Sequence, residues 1–391
     1  MRSLCVLINA IFSAASTRAF SMKAQDNASP AVGREQKPIP LDRASHSRSI
    51  HANPITARTG DIHLDPYFDH EILPAYIEVS HYKYNSSWSR TYVANGSESM
   101  LGYNGIRAEG HLSQDTLYVA GLEIRDQLFH ELVSYVSPPT ILWTQDFDAV
   151  LGLAPFNDAS FAGIQNPFQN MISQGLLDAN IISLSLGGTT AGESIPGEIM
   201  YGGINYDLME GELIRLLATQ TRDADQGSED RLEIGPPVLN GTWQVEVRGI
   251  SWGDESAGEN YEYRNLNGFT AILETASPWI ILPPEISERL DQILEPEYDN
   301  PWFAKTVDCL KRDTLPALTF NLAGYNFTLS PYEYTIEVSM GDYGYSCVVA
   351  YAPLEREMVP PDEPDFIVLG SSFLRGFNSV FDFDRKEVGC T

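Results

Sequence analysis

The chain has 391 residues, 43% of them hydrophobic and 11% aromatic, which is enough to bury one large core or two ordinary ones and too apolar for a disordered chain. Acidic residues outnumber basic ones by 53 to 25, a formal net charge of −28. A body so negative repels nucleic-acid phosphates and anionic membranes, so neither is expected as a partner; the charge suits solubility, and it suits work at acid pH, where carboxylates gain protons and self-repulsion falls.

Residues 1–19 read as an export signal. Arg2 supplies a positive charge, Leu4 to Phe12 an apolar stretch, and Ala14, Ala15 and Ala19 small residues for cleavage. No later run has the length of a membrane span. Residues 20–60 are rich in Ser, Ala and Pro and show no apolar period. They hold Lys23, Arg34, Lys37, Arg43, Arg48 and Arg58 against Asp26, Glu35 and Asp42. Two readings stay open: a disordered arm, or a propeptide whose positive charge docks on the acidic body. Glycosylation sequons at Asn27, Asn85, Asn95, Asn240 and Asn326 are consistent with secretion.

Past residue 60, strand-like alternation punctuated by Gly, Asn and Asp dominates, which predicts mostly antiparallel β structure. Thr116–Val119 reads as a strand, then Phe168–Ser173 as a short helix. Asp223 to Glu233 is polar and reads as a loop. Gln244–Val247 follows as a strand, Pro284–Leu294 as a helix, Tyr334–Val338 as a strand and Ser372–Phe377 as a helix. There is no Gly-rich phosphate loop and no spaced metal-ligand cluster, so no cofactor or metal is expected; His111 and the other histidines read as structural or surface residues.

The most informative run is Asp365 to Gly389. Ile367-Val368-Leu369 enters Gly370, Phe373-Leu374 and Phe377 follow at helical spacing, and Val380 to Phe383 alternates before a charged turn and Val388-Gly389. The same apolar-apolar-Gly signal occurs at Ala149-Val150-Leu151-Gly152. Two copies suggest a duplicated, two-lobed protein. The run resembles the C-terminal end of pepsin-like aspartic proteases, the peptidase A1 family, and the resemblance covers residues 62 to 389. It includes Asn166 to Gly175, Ile181 to Leu186, Tyr201-Gly202-Gly203-Ile204, Gly241-Thr242-Trp243-Gln244-Val245 and Leu318-Thr319-Phe320.

The resemblance implies a mostly β, two-lobed pepsin-like acid protease fold with a truncated first lobe. It divides the chain into an N-terminal β lobe with a flap hairpin at 61–205 and a C-terminal β lobe at 206–391. Cys309 and Cys347 fall where the family places a disulfide, which leaves Cys390 unpaired, either buried in the final strand or joining two molecules. Tyr103 and Gly105 fall in the flap that folds over substrate.

Such proteases use two aspartates, one per lobe, each in an Asp-Thr-Gly-Ser/Thr turn. Carboxylates a few ångström apart share a proton; one acts as base on a water while the other polarises the substrate carbonyl. The second-lobe turn here reads Leu273-Glu274-Thr275-Ala276-Ser277. Thr275 and Ser277 match, but Glu274 replaces Asp and Ala276 replaces Gly. Glutamate is one methylene longer, and a displacement of about 1 Å can cost roughly 10²-fold in rate.

No Asp-Thr-Gly occurs anywhere in the chain. Leu64 to Ile72 resembles the family's opening strand, yet Tyr84 to Tyr92 already resembles the segment beyond the first aspartate. Asp69 could be a remnant of that turn or an ordinary strand residue, and coding sequence missing between the codons for Glu71 and Tyr84 would also account for the gap. Two functions follow. One is an aspartic-type endopeptidase homologue, inactive as written. The other is a non-catalytic pepsin-fold protein that binds peptides or proteins. Both imply a monomer, secreted or in an acidic vacuolar compartment, with a peptide or protein partner in the interlobe cleft.

Overall fold

The computed structural model describes residues 3–7, 22–23, 48–51, 84–103, 106–136, 149–153, 155, 165–186, 188–190, 193–195, 197–209, 211–219, 242–253, 261–275, 277, 279–297, 305–339, 345–354 and 365–391. The chain is mostly β, as its alternation predicts.

The largest sheet has seven strands, all from the second half of the chain. In order they are Tyr325–Leu329, Leu318–Leu322, Gln244–Trp252, Glu262–Leu273, Phe366–Leu369, Ile280–Leu282 and Tyr351–Pro353. Leu318, Phe320 and Leu322 are buried while Thr319 and Asn321 between them are only partly covered, the two-residue period of a half-buried strand. Phe366–Leu369 is buried at every position and reads as an unbroken apolar run, because it lies inside the sheet with a parallel neighbour.

A six-stranded sheet joins the two halves, in the order Ile214–Leu217, Glu387–Cys390, Ser379–Asp382, Ile181–Ser185, Glu198–Tyr201 and Arg48–His51. Aromatic rings pin it. Phe168 packs on Phe383 at 4.4 Å between centroids, and Phe383 meets Trp243 edge-on at 5.0 Å. Trp243 also contacts Phe381 at 5.3 Å. A long three-stranded sheet follows the chain through Val93–Tyr103, Ile106–Val119 and Leu122–Val136.

The helix Pro167–Ser173 begins one residue earlier than its apolar period predicts. Asn166 and Gln169 exchange side-chain-to-backbone bonds in a capping box, and proline at the first position needs no donor. Pro284–Leu294 has the predicted bounds; Ile286, Leu290 and Leu294, four apart, line its buried face.

Two expectations need correction. The helix expected over Ser372–Phe377 runs over Ser371–Leu374, with Gly376 and Phe377 in tighter turns beyond it. Tyr334 is not in a strand: Ser330 caps a turn of helix at Pro331–Tyr334, and the strand is Thr335–Ser339. The loop expected at Asp223 to Glu233 lies outside the described residues.

Cys309 and Cys347 form a disulfide, with Cα atoms 5.2 Å apart across 38 residues of sequence. Beside it the buried Arg312 donates to the hydroxyl and carbonyl of Thr335 and to Glu337. Cys390 is free and 1% exposed in the final strand, the buried placement that the sequence left open. Among the described residues no helix is long and apolar enough to cross a membrane, and no cluster of His, Cys, Asp or Glu could hold a metal ion.

Candidate active site

Three strands build the seat of the turn that carries Glu274. Glu262–Leu273 ends parallel to Phe366–Leu369, with Leu273 opposite Leu369. On the other side Ile280–Leu282 runs antiparallel, with Ile280 opposite Leu369. Between Leu273 and Ile280 the chain must therefore cross the end of the middle strand, where Gly370 lies beneath it. A Cβ on Gly370 would sit 2.4 Å from the carbonyl oxygen of Ser277 and 2.2 Å from that of Trp279. Only glycine leaves that room.

Backbone bonds hold the crossing in place. The N–H of Glu274 donates to the carbonyl of Leu369 at 3.1 Å, and that of Ser371 to the carbonyl of Ser277 at 2.6 Å. The Ser277 hydroxyl accepts from the N–H of Trp279 at 3.2 Å. Glu274 is 0% exposed, Thr275 6% and Ser277 3%. Ala276 lies outside the described residues.

The first half holds the other copy of the apolar-apolar-Gly signal, in the strand Ala149–Gly152. Its backbone neighbour is Ser3–Leu7, parallel, with Val6 opposite Leu151 and Leu7 opposite Gly152. Glu274 follows the residue opposite Leu369, so its counterpart by register is Leu7, which is apolar. Cleavage of the expected export signal would remove this strand and leave the edge open. Either way that segment supplies no carboxylate beside Gly152. A Cβ there would meet no described atom within 4 Å, whereas Gly370 has a turn resting on it.

The remaining candidates are more widely placed. Tyr103 ends the strand Val93–Tyr103 and pairs with Ile106. Its side chain, Gly105 and Asp69 all lie outside what is described. Sequence reasoning missed Asp115 at the far end of the same hairpin. Its carboxylate accepts from Tyr84 Oη at 2.5 Å, Ser89 Oγ at 2.8 Å, Thr91 Oγ1 at 2.5 Å and its neighbour Thr116 N at 2.7 Å. Burial raises its pKa, but the bonds from Thr91, Tyr84 and Ser89 and from the Thr116 N–H outweigh that and hold the carboxyl below its ordinary value. The available signal was the hydroxyl-rich run Tyr84 to Tyr92, whose donors need an acceptor.

The model of the eukaryotic aspartyl protease family matches residues 73–391. Over 310 residues the chain is 33% identical to a vacuolar aspartic protease of Candida albicans, covering 79% of this chain and 65% of that protein. It is 32% identical over 311 residues to vacuolar protease A of Aspergillus fumigatus, covering 79% and 68%. Cathepsin D of Mus musculus is 28% identical over 324 residues, covering 79% and 69%. The chain thus spans about two thirds of the length of these relatives.

Proposed function

The chain belongs to the eukaryotic aspartyl protease family, and from that premise we propose that, as it stands, it binds peptide or protein ligands in the family's cleft without cleaving them. One observation carries this reading. Gly370 seats a turn with a carboxylate, the buried Glu274, while the sequence holds no Asp-Thr-Gly that could supply the matching turn over Gly152. The chemistry needs two carboxylates sharing a proton, one to take a proton from water and one to give a proton to the substrate carbonyl. One carboxylate cannot do both.

The acidic body and the names of the relatives support an acidic, vacuole-like compartment reached by export; that the chain is a monomer is part of the same proposal. The relatives also favour a second reading, an acid endopeptidase with an unusual carboxylate pair, which requires Asp69 or another group to approach Glu274. The test is incubation of the purified full chain with denatured haemoglobin at pH 3–5, with and without pepstatin, beside calorimetric titration with haemoglobin-derived peptides. Binding without turnover is the expected result. Pepstatin-sensitive turnover would establish the second reading, and neither binding nor turnover would overturn both.

A further inference from the structure

We propose that Asn85 carries an N-linked glycan whose first sugar packs on the indole of Trp88; the inference rests on the export route proposed above. Asn85-Ser86-Ser87 is a sequon. Asn85 caps the 3-10 turn Ser86–Trp88, and its Oδ1 accepts from Ser87 N at 3.0 Å and Ser87 Oγ at 2.7 Å. That spends the acceptor of the amide and leaves Nδ2 exposed, with no partner among the described residues.

The second observation is Trp88. It is 78% exposed, the most exposed aromatic among the described residues. Its N–H donates to the carbonyl of Asn85 at 3.1 Å, which closes the turn. Asn85 is extended and stands just before the turn, and the closing bond brings its backbone up against that of Trp88. An indole in water is a large uncovered apolar area, and its face suits the C–H face of a sugar.

The turn is also held still. Tyr84 before it and Ser89 and Thr91 after it all donate to Asp115, and Tyr84 packs edge-on against Phe129 at 4.9 Å. Sequon and indole are therefore presented together on a fixed support. The exposed sequons at Asn95 and Asn326 differ. Asn95 accepts from Ser97 in the same way but has no aromatic residue three positions on, and Asn326 accepts from Asn321 across its hairpin.

The modification takes an oligosaccharide from a polyprenyl diphosphate carrier. A bond forms between Asn85 Nδ2 and C1 of the first sugar, and the C1–O bond to the diphosphate breaks. The diphosphate leaves with the electron pair, and the amide proton passes to a base.

The test is translation of the full chain into microsomes behind a heterologous export signal, followed by glycosidase treatment in heavy-oxygen water and peptide mass mapping. Oxidative footprinting of Trp88 is done before and after sugar removal. Asn85 should be occupied, and Trp88 should oxidise severalfold faster once the glycan is gone. Ser87→Ala should abolish both effects and Ser87→Thr should keep them. An unoccupied Asn85, or an occupied one with Trp88 oxidised equally fast in both states, overturns the proposal. Site occupancy is read on peptides and so does not depend on folding. The same chain behind its own first residues tests the export route separately: modification with the heterologous signal alone means that the route fails and the site stands.

Discussion

The backbone N–H of Ser371 donates to the carbonyl of Ser277 at 2.6 Å, and this bond ties the Glu274 turn to the helix that follows Gly370. The closeness has a consequence for Gly370. In Gly370→Ala the new methyl meets two backbone carbonyl oxygens, at 2.4 and 2.2 Å, and backbone cannot rotate out of the way. Destabilisation of about 3 kcal/mol, the upper end for overpacking, is expected. Gly152→Ala meets no described atom within 4 Å and should stay within about 0.5 kcal/mol of the parent. Urea midpoints at constant slope decide it. Equal losses would mean that the two glycines seat equivalent turns.

The cysteines make a second prediction. Closing 38 residues with Cys309–Cys347 stabilises by about 4 kcal/mol on the chain-entropy model, so reduction should lower the unfolding free energy by that order. Burial pushes the Cys390 thiol from its ordinary 9.0 up to about 12. The folded state thus keeps the proton to higher pH than the unfolded one. What Cys390 contributes to stability is complete below pH 9 and lost as pH rises towards about 12. Thiol reagents at neutral pH should label it only on unfolding, and Cys390→Ala should flatten that part of the alkaline stability profile. Rapid labelling of the native protein would contradict its burial.

Much of the fold was legible because its signals are local. The proline and the four-residue spacing of Ile286, Leu290 and Leu294 bound one helix correctly. Where the reading failed, a local signal had been outweighed. Phe377 continued an apolar period across Gly376, which breaks it, and the Ser330-Pro331 cap turned Tyr334 into the end of a helix. The site was legible only as residue types. That Glu274 is wholly enclosed depends on Phe366–Leu369 passing between two strands that lie close in sequence to Glu274 but far from it. No periodicity reports such a pairing. Asp115 was invisible for a related reason: its side-chain donors sit 24 to 31 residues away.

Asp115 supports a third prediction. Its carboxyl titrates below the ordinary 3.8, so the stability it gives the hairpin is present above about pH 4 and lost as pH falls through the lower folded value. The hairpin therefore stays latched across the mildly acid range of a vacuole-like compartment. Asp115→Asn loses the charge and turns part of the acceptor into a donor facing Tyr84, Ser89 and Thr91. Hydrogen exchange of the amides in Val93–Val119 should then quicken at pH 5 in the variant while the seven-stranded sheet stays protected. Unchanged exchange would show that the latch is unimportant.

The last prediction concerns turnover. Without change, the chain should show no acid-optimum cleavage of haemoglobin or casein that pepstatin blocks. Glu274→Asp combined with Ala276→Gly restores the sequence of one turn, shortening the carboxylate by a methylene and freeing the backbone. It should still give no turnover, because a second carboxylate is needed to polarise the substrate carbonyl. Activity should appear only when an Asp-Thr-Gly-Ser segment is also supplied between Glu71 and Tyr84, so that a turn can come to rest on Gly152 as the Glu274 turn rests on Gly370. The two repairs should be strongly non-additive, each silent alone, as expected of groups that act as one unit. Turnover by the Glu274→Asp, Ala276→Gly variant alone would place a hidden partner in the chain, and Asp69→Asn in that background would show whether Asp69 is that partner.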